Sequence, residues 1–476
     1  MNLDDLQWQL DNHGGVPPRV VDAIVERGAL EQLVEAARER EDWFCAQAAV
    51  RGLCAAGAFE RAWSVIEPFA VTGWQPALRV GADVLVRSGR VREALELAHP
   101  EGGDGKPLGV WQDYAEVLVE AGRVDEAIDM LVPYLREDWA LLRSLVRMTE
   151  GQGRDERVLK LLTPIAEEFR ASPGRCGVRD LWIALPLQAL VLERSGRVDE
   201  AIHQLGADVA ARRYGPQNTV DYYTQMLARN GKIEELHELA TGPQQRDASR
   251  PYVEALENLD RADEAEAFLR ERIRATEYPT GYESQLLVLL AGQGRFDEAV
   301  AAVAHTFDDL YDSNLLQPAM LVLAEHGRPD LALELTEGRR SVEFMEESGQ
   351  YWLPSTRWWL MGEAGRCREA IAEIEAIRDA EPPSPFEVDD RNATIGLLLA
   401  KDGREEEAVA HLRQCPGYGV TTELALVLAG QGRFAEAIAA IPGVAAQREE
   451  KRREQAYWDE RKKAAGDRGC TEEPPF

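Results

Sequence analysis

The sequence predicts an all-α protein, a right-handed α-solenoid of about thirteen helix-turn-helix repeats, and three observations carry that prediction. The first is a phrase that recurs along the chain, as Gly122-Arg123-Val124-Asp125-Glu126-Ala127, Gly196-Arg197-Val198-Asp199-Glu200-Ala201 and Gly294-Arg295-Phe296-Asp297-Glu298-Ala299. Aligned on its glycine it has thirteen copies, at Gly28, Gly57, Gly89, Gly122, Gly153, Gly196, Gly231, Asp260, Gly294, Gly327, Gly365, Gly403 and Gly432. The second is their mean separation of about 34 residues, the length of one helical hairpin. The third is what flanks the glycine. Leu stands four residues before it in nine copies, Leu53, Leu85, Leu118, Leu192, Leu227, Leu290, Leu323, Leu399 and Leu428. Ala stands five after it in ten, Ala62, Ala94, Ala127, Ala201, Ala265, Ala299, Ala332, Ala370, Ala408 and Ala437.

Each position has a physical role within the hairpin. The Leu closes the core near the end of the first helix. The glycine takes the left-handed conformation that ends that helix, for which Asp260 is a tolerated substitute. The acidic residues after it, such as Asp125 and Glu126, fall in the first turn of the second helix, where the dipole favours negative charge. The Ala lets that helix approach its partner closely. No strand-like alternation or hairpin turn pair interrupts the pattern. The reading expects one uninterrupted array over residues 15–447, each repeat contacting its neighbours, and an elongated or curved particle in solution.

The ends differ. Residues 1–14 read as an N-terminal cap, and residues 448–476 as a charged capping helix and tail over the last repeat. That tail carries eight basic and eight acidic residues, so the formal charge of −30 belongs to the repeat body. The spacing lengthens where Ala171–Gly177, Tyr351–Trp359 and Glu381–Phe386 intervene, and these stretches read as surface insertions.

The copy starting at Trp111 carries a resemblance to a known family. Trp111-x2-Tyr114-Ala115-x2-Leu118, the turn at Gly122 and Ala127-x3-Leu131 follow the spacing of the tetratricopeptide repeat. Small residues recur at the Ala115 position as Ala82, Ala189, Gly396 and Ala425. The resemblance spans residues 15–445, although the family's closing proline is mostly missing. It implies that the first helix of each repeat lines a concave groove, with inward side chains about thirteen, ten, six and three residues before the turn. Transferred to this chain, those offsets select Gln47, Arg51, Arg79, Asp83, Gln112, Glu116, Arg143 and Arg147 in the N-terminal half. They select Asp221, Gln225, Arg250 and Glu254 in the middle, and Trp352 and Trp359 beyond. Arg143 and Arg147, one turn apart, form the densest basic patch of the set, suited to an acidic segment. The Lys/Asn clamp by which some relatives capture a terminal carboxylate is not recognisable. Arg greatly outnumbers Lys, a bias that resembles proteins of bacteria with GC-rich genomes.

Composition and motifs exclude other classes. The chain has no apolar run of membrane-spanning length, and Met1–Asp5 lacks the features of a signal peptide. Cys45, Cys54, Cys176, Cys367, Cys415 and Cys470 have neither metal nor disulfide spacing, and a reduced, cytoplasmic location is expected. The seven histidines are isolated, no nucleotide loop or nucleophile elbow occurs, and Asp308–Asn314 lacks the glycine and closing Glu of a calcium loop. No catalytic activity, cofactor or metal is therefore expected. A net charge of −30 disfavours nucleic acid, because phosphate neutralisation needs a cationic stripe. The expected partner is a protein or peptide. The expected function is a protein-protein interaction scaffold or adaptor using the superhelical groove, or alternatively an acidic inhibitor or immunity-type partner of a basic effector.

Overall fold

The computed structural model describes residues 1–100, 107–171, 181–211, 217–309, 314–339, 352–377 and 384–467. Among the described residues every regular element is helical. The thirteen turn positions separate thirteen antiparallel pairs, from Pro18–Glu26 with Leu30–Glu39 to Tyr418–Gly430 with Phe434–Ala440. All thirteen turn residues have positive φ, from 56° at Asp260 to 84° at Gly196.

Local hydrogen bonding explains why the phrase is so constant. Gly57 N–H donates to the Cys54 carbonyl at 3.0 Å and Ala58 N–H to the Leu53 carbonyl at 2.8 Å, the paired bonds of a Schellman stop. The same long bond runs from Arg90 to Leu85, from Arg123 to Leu118 and from Arg433 to Leu428. The Leu four before the turn thus supplies the accepting carbonyl while its side chain is buried, and all nine are in the core. The ten Ala residues after the turn have no exposed surface at all. Gly396 shows how close the helices come: a Cβ there would lie 2.4 Å from Leu412 Cδ2. By contrast, a Cβ on Gly57 meets nothing, so glycine is required there for its φ of 71°. Asp260 is the one turn residue that bears the left-handed strain of a side chain. Asp260→Gly should raise stability by about 1 kcal/mol, read as a higher midpoint in chemical unfolding; an unchanged or lower midpoint would mean that the aspartate side chain stabilises the turn.

The residues around the turn also join one hairpin to the next. The Arg directly after the glycine reaches forward to the Glu three residues on, as in Arg90 with Glu93, Arg197 with Glu200 and Arg433 with Glu436, at 2.6, 2.7 and 2.6 Å. It also reaches back to the acidic residue at the third position past the previous turn. Arg154 meets Asp125 at 2.8 Å, Arg197 meets Glu156 at 3.6 Å and Lys232 meets Asp199 at 3.3 Å. Arg90 with Glu60 and Arg433 with Glu406 repeat the step at 3.9 and 3.8 Å. The guanidinium groups of Arg154 and Arg157 hold the Asp125 carboxyl down to about 2. The acidic residues of the phrase therefore do more than favour the helix dipole: they form rungs of a ladder between successive second helices.

The chain forms two units, one of Met1–Ala98 with Gly365–Phe476 and the other of His99–Ala364. In the first, elements from opposite ends of the sequence pack together, which overturns the expectation that repeats touch only their neighbours. Pro18–Glu26 lies against Tyr418–Gly430, where Arg19 pairs with Glu423 at 2.5 Å. Arg40 donates to the Ile438, Ile441 and Pro442 carbonyls at 2.6, 2.7 and 3.2 Å, satisfying acceptors in the last turn of the last hairpin helix and just past it. The buried Gln447 side chain accepts from Gly15 N–H at 2.9 Å and donates to the Gly15 and Pro442 carbonyls, both at 2.9 Å.

The terminal helices complete this junction. Leu3–Asn12 is anchored by buried Gln9, which donates to the Glu41 carbonyl at 3.1 Å and accepts from Trp43 N–H at 2.8 Å. The C-terminal helix, Val444–Asp467, begins before the expected boundary and reaches the first residues of the chain. Its Arg448 pairs with Asp5 at 3.0 Å and stacks on Trp8, and its Lys451 donates to Asn12 at 2.5 Å. The tail past residue 467 lies outside the described residues.

Two supposed insertions are partly helix. Leu353–Glu363 takes in most of the Tyr351–Trp359 stretch, of which Tyr351 lies outside the described residues. Ser384 caps Pro385–Lys401 in a reciprocal box, Glu387 N–H donating to Ser384 Oγ at 3.1 Å and Ser384 N–H to Glu387 Oε2 at 2.6 Å. The lengthened spacing there serves a longer first helix, while residues 381–383 and most of the Ala171–Gly177 stretch lie outside the described residues. So do Cys176, Cys470 and residues 310–313 of the acidic turn, whose Asn314 side chain bonds the Phe307 and Asp309 carbonyls at 2.8 Å each.

Candidate functional site

Within the second unit, two consecutive first helices, Gln217–Arg229 and Gln245–Asn258, border a cleft of about 690 Å³. Its walls follow from the hairpin register. Leu227 and Leu256, four before their turns, point into the core, so the residues ten and six before each turn fall on the opposite side of the helix. Those are Asp221 and Gln225 on one helix and Arg250 and Glu254 on the other, and all four line the cleft. Ile233 and Ala255 supply a buried apolar floor, and half-exposed Leu259 closes one side. Behind the first wall Tyr223 packs against Gly206 so closely that a Cβ there would lie 2.7 Å from the phenol oxygen.

The cleft's charges divide into engaged and held groups. Arg229 pairs with Glu193 of the preceding hairpin at 2.8 Å, and Asn230 donates to the other oxygen of that carboxylate at 2.7 Å. Arg250 pairs with Glu254, one turn along its own helix, at 2.7 Å. Asp221 stands across from Asp247. Burial, and secondarily the like charge of Asp247, pushes the Asp221 carboxyl above its ordinary value. Arg246 lies at the exposed rim beside Asp247. No Ser, Thr, Cys, His or Tyr side chain is among the lining residues.

The remaining residues selected from the sequence fall elsewhere. Gln47, Arg51, Arg79 and Asp83 belong to the first unit, where Asp83 pairs with Arg87 at 2.8 Å and Arg51 is exposed. Gln112, Glu116, Arg143, Arg147, Trp352 and Trp359 belong to the second unit with the cleft. Of the pair Arg143 and Arg147, Arg147 pairs with Glu116 of the preceding hairpin. Arg143 stacks on Trp139, 5.0 Å from the ring centre, and donates to Tyr222 Oη at 3.4 Å. Trp359 is 38% exposed and Trp352 half-buried. Sequence reasoning missed Asp247, Arg246 and Arg229. Asp247 sits thirteen before its turn, one of the inward offsets already in hand, whereas nothing in the spacing marks the other two.

No family model matches the sequence, and no curated protein matches it. Solved structures do resemble it. A pentatricopeptide repeat protein from maize, PPR10, gives a TM-score of 0.37 at 17% identity over 83% of this chain, which spans 58% of that protein. A further structure of the maize protein is a complex with an 18-nt psaJ RNA element. The Naa15/Naa10 complex bound to HypK-THB gives 0.35 at 15% identity, covering 83% of this chain and 67% of that one. A tetratricopeptide repeat protein from Parabacteroides merdae gives 0.23 at 13% identity over 60% of this chain and 97% of its own. What those proteins bind is a property of theirs. Among the described residues no helix is long and apolar enough to cross a membrane. The thirteen hairpins, their left-handed turn residues and the fully buried alanine at the fifth position past ten of the turns make this chain an all-α helical-hairpin repeat protein.

Proposed function

We propose that the chain is a protein-interaction scaffold that holds a segment of another protein against the first helices of its second unit. The observation that carries this reading is the cleft itself. Its volume of about 690 Å³ lies within the range of ligand clefts, about 300–1,000 Å³. An apolar floor with charged walls suits an extended peptide, whose backbone and side chains need both. Nucleic acid is the weaker alternative, since the net charge of −30 opposes phosphate.

A photo-crosslinking amino acid placed at Gln225, exposed at the cleft, tests the reading against the same probe at His203, exposed on a second helix. Irradiation in cells of the native host should yield defined protein adducts at position 225 and few at 203. Equal yields at the two positions, or adducts that are nucleic acid, would remove the scaffold reading.

A further inference from the structure

We infer that beyond the cleft the bound segment continues as an amphipathic helix, with its apolar face laid across Val288, Leu321 and Trp359 and a basic flank. The inference rests on the scaffold reading and adds where the segment runs and what it is made of. Val288, Leu321 and Trp359 stand six residues before the turns at Gly294, Gly327 and Gly365, and they are 50%, 39% and 38% exposed. Gln225 and Glu254 hold the same position in the two preceding hairpins and line the cleft. In the eight hairpins before Val288 that position is polar or charged except at Leu190. The change to large apolar side chains therefore begins where the cleft ends.

Packing makes the three residues one row. Thr280–Gly292 lies against Gln245–Asn258 on one side and Leu316–Glu325 on the other, and Leu316–Glu325 lies against Leu353–Glu363. Single exposed apolar side chains are ordinary on a surface, but the same register in three consecutive hairpins makes a continuous face of the kind a partner covers. Spacing and charge specify that partner. Packed helices lie about 8–10 Å apart, which sets the step of the row. Residues two turns apart on a helix are separated by about 10.5 Å, so an amphipathic helix can set one apolar side chain against each member. Same-face residues of an extended strand recur at about 6.8 Å and fall out of step. On these three first helices the one Lys or Arg is Arg357, which is 2% exposed, whereas Glu325 is exposed one turn past Leu321 on the same face. A flank of Lys or Arg on the incoming helix complements that charge.

The row can be tested on the intact chain with a phage-displayed random library of peptides about eighteen residues long. Enriched peptides should carry apolar residues seven apart, with Lys or Arg beside them. Binding of a chosen synthetic peptide should fall about tenfold on Leu321→Gln, which removes one buried apolar contact, and several-fold on Glu325→Lys. His203→Gln, on an exposed second-helix position, should leave it unchanged. A proline at the centre of the peptide should also cost at least about tenfold, because it breaks the helix. That arm uses the unaltered protein, so the test holds even if a variant is unstable. Peptides that are blocked by Gln225→Trp, which fills the cleft, yet are indifferent to Leu321→Gln or to the proline would overturn the helix inference and leave the scaffold reading intact. Self-association of the chain that is lost on Leu321→Gln would assign the row to a second copy and overturn it as well. Failure to enrich any peptide, or binding indifferent to both Gln225→Trp and Leu321→Gln, would overturn both readings.

Discussion

Ala299→Trp should be among the most damaging single substitutions in the chain, costing about 3 kcal/mol or preventing folding outright. Ala299 has no exposed surface and lies on the second helix five residues after the turn, where its methyl group sets the approach of Phe296–Val303 to Thr280–Gly292. An indole has no volume to enter there without prying the pair apart, and close-packed interiors do not yield by small amounts. The control is His203→Ala, an exposed position on another second helix, which should change stability by less than about 0.5 kcal/mol. Thermal melts followed by circular dichroism decide the matter. Matching transitions for wild type and Ala299→Trp would show that this alanine does not set the helix approach.

Gln447→Ala should cost about 3 kcal/mol, a large effect for a polar residue near the end of the chain. Its amide satisfies a buried donor and a buried acceptor on Gly15 and a third group on Pro442. Truncation leaves the Gly15 groups without water or a partner, and each such orphan costs about 1–3 kcal/mol. Arg452→Ala, exposed on the same helix, should be nearly neutral. Hydrogen exchange gives the sharper readout. Amides of Leu3–Asn12 and of the start of Val444–Asp467 should lose protection together in Gln447→Ala. Loss confined to the C-terminal helix would mean that the two ends are not coupled through this side chain.

Much of the fold was legible because the repeat encodes it locally. A Leu four before a glycine and an Ala five after it specify a helix stop and a close contact within some ten residues, and the stop residue's φ follows. The same locality made the cleft residues Asp221, Gln225, Arg250 and Glu254 readable, since helix register alone puts them on the side away from the core. What a neighbouring hairpin does to a side chain was not readable in this way. Which carboxylate meets Arg147 is one such case: it is Glu116, from the preceding hairpin. The junction of Gly15 with Gln447 joins residues 432 positions apart, and no periodic signal marks such a pair. The Arg that follows most turn residues was in plain view, but its double role depends on the spacing between successive second helices.

That double role bears on how such a chain lengthens. The rung recurs: several hairpins present an acidic residue at the third position past the turn and receive their successor's cation there, as Asp125 receives Arg154 and Asp199 receives Lys232. Hairpins that carry both halves of the connector therefore share matching edges irrespective of the residues on their first helices, whereas Arg92 and Arg368 at the acidic position, and Ala29 and Ala58 at the cationic one, mark edges that do not. Duplication of a hairpin that carries both halves, such as the one with Arg154 and Glu156, inserts a unit whose edges match neighbours of the same kind without a compensating substitution. First helices, relieved of that duty, are left to diverge for recognition.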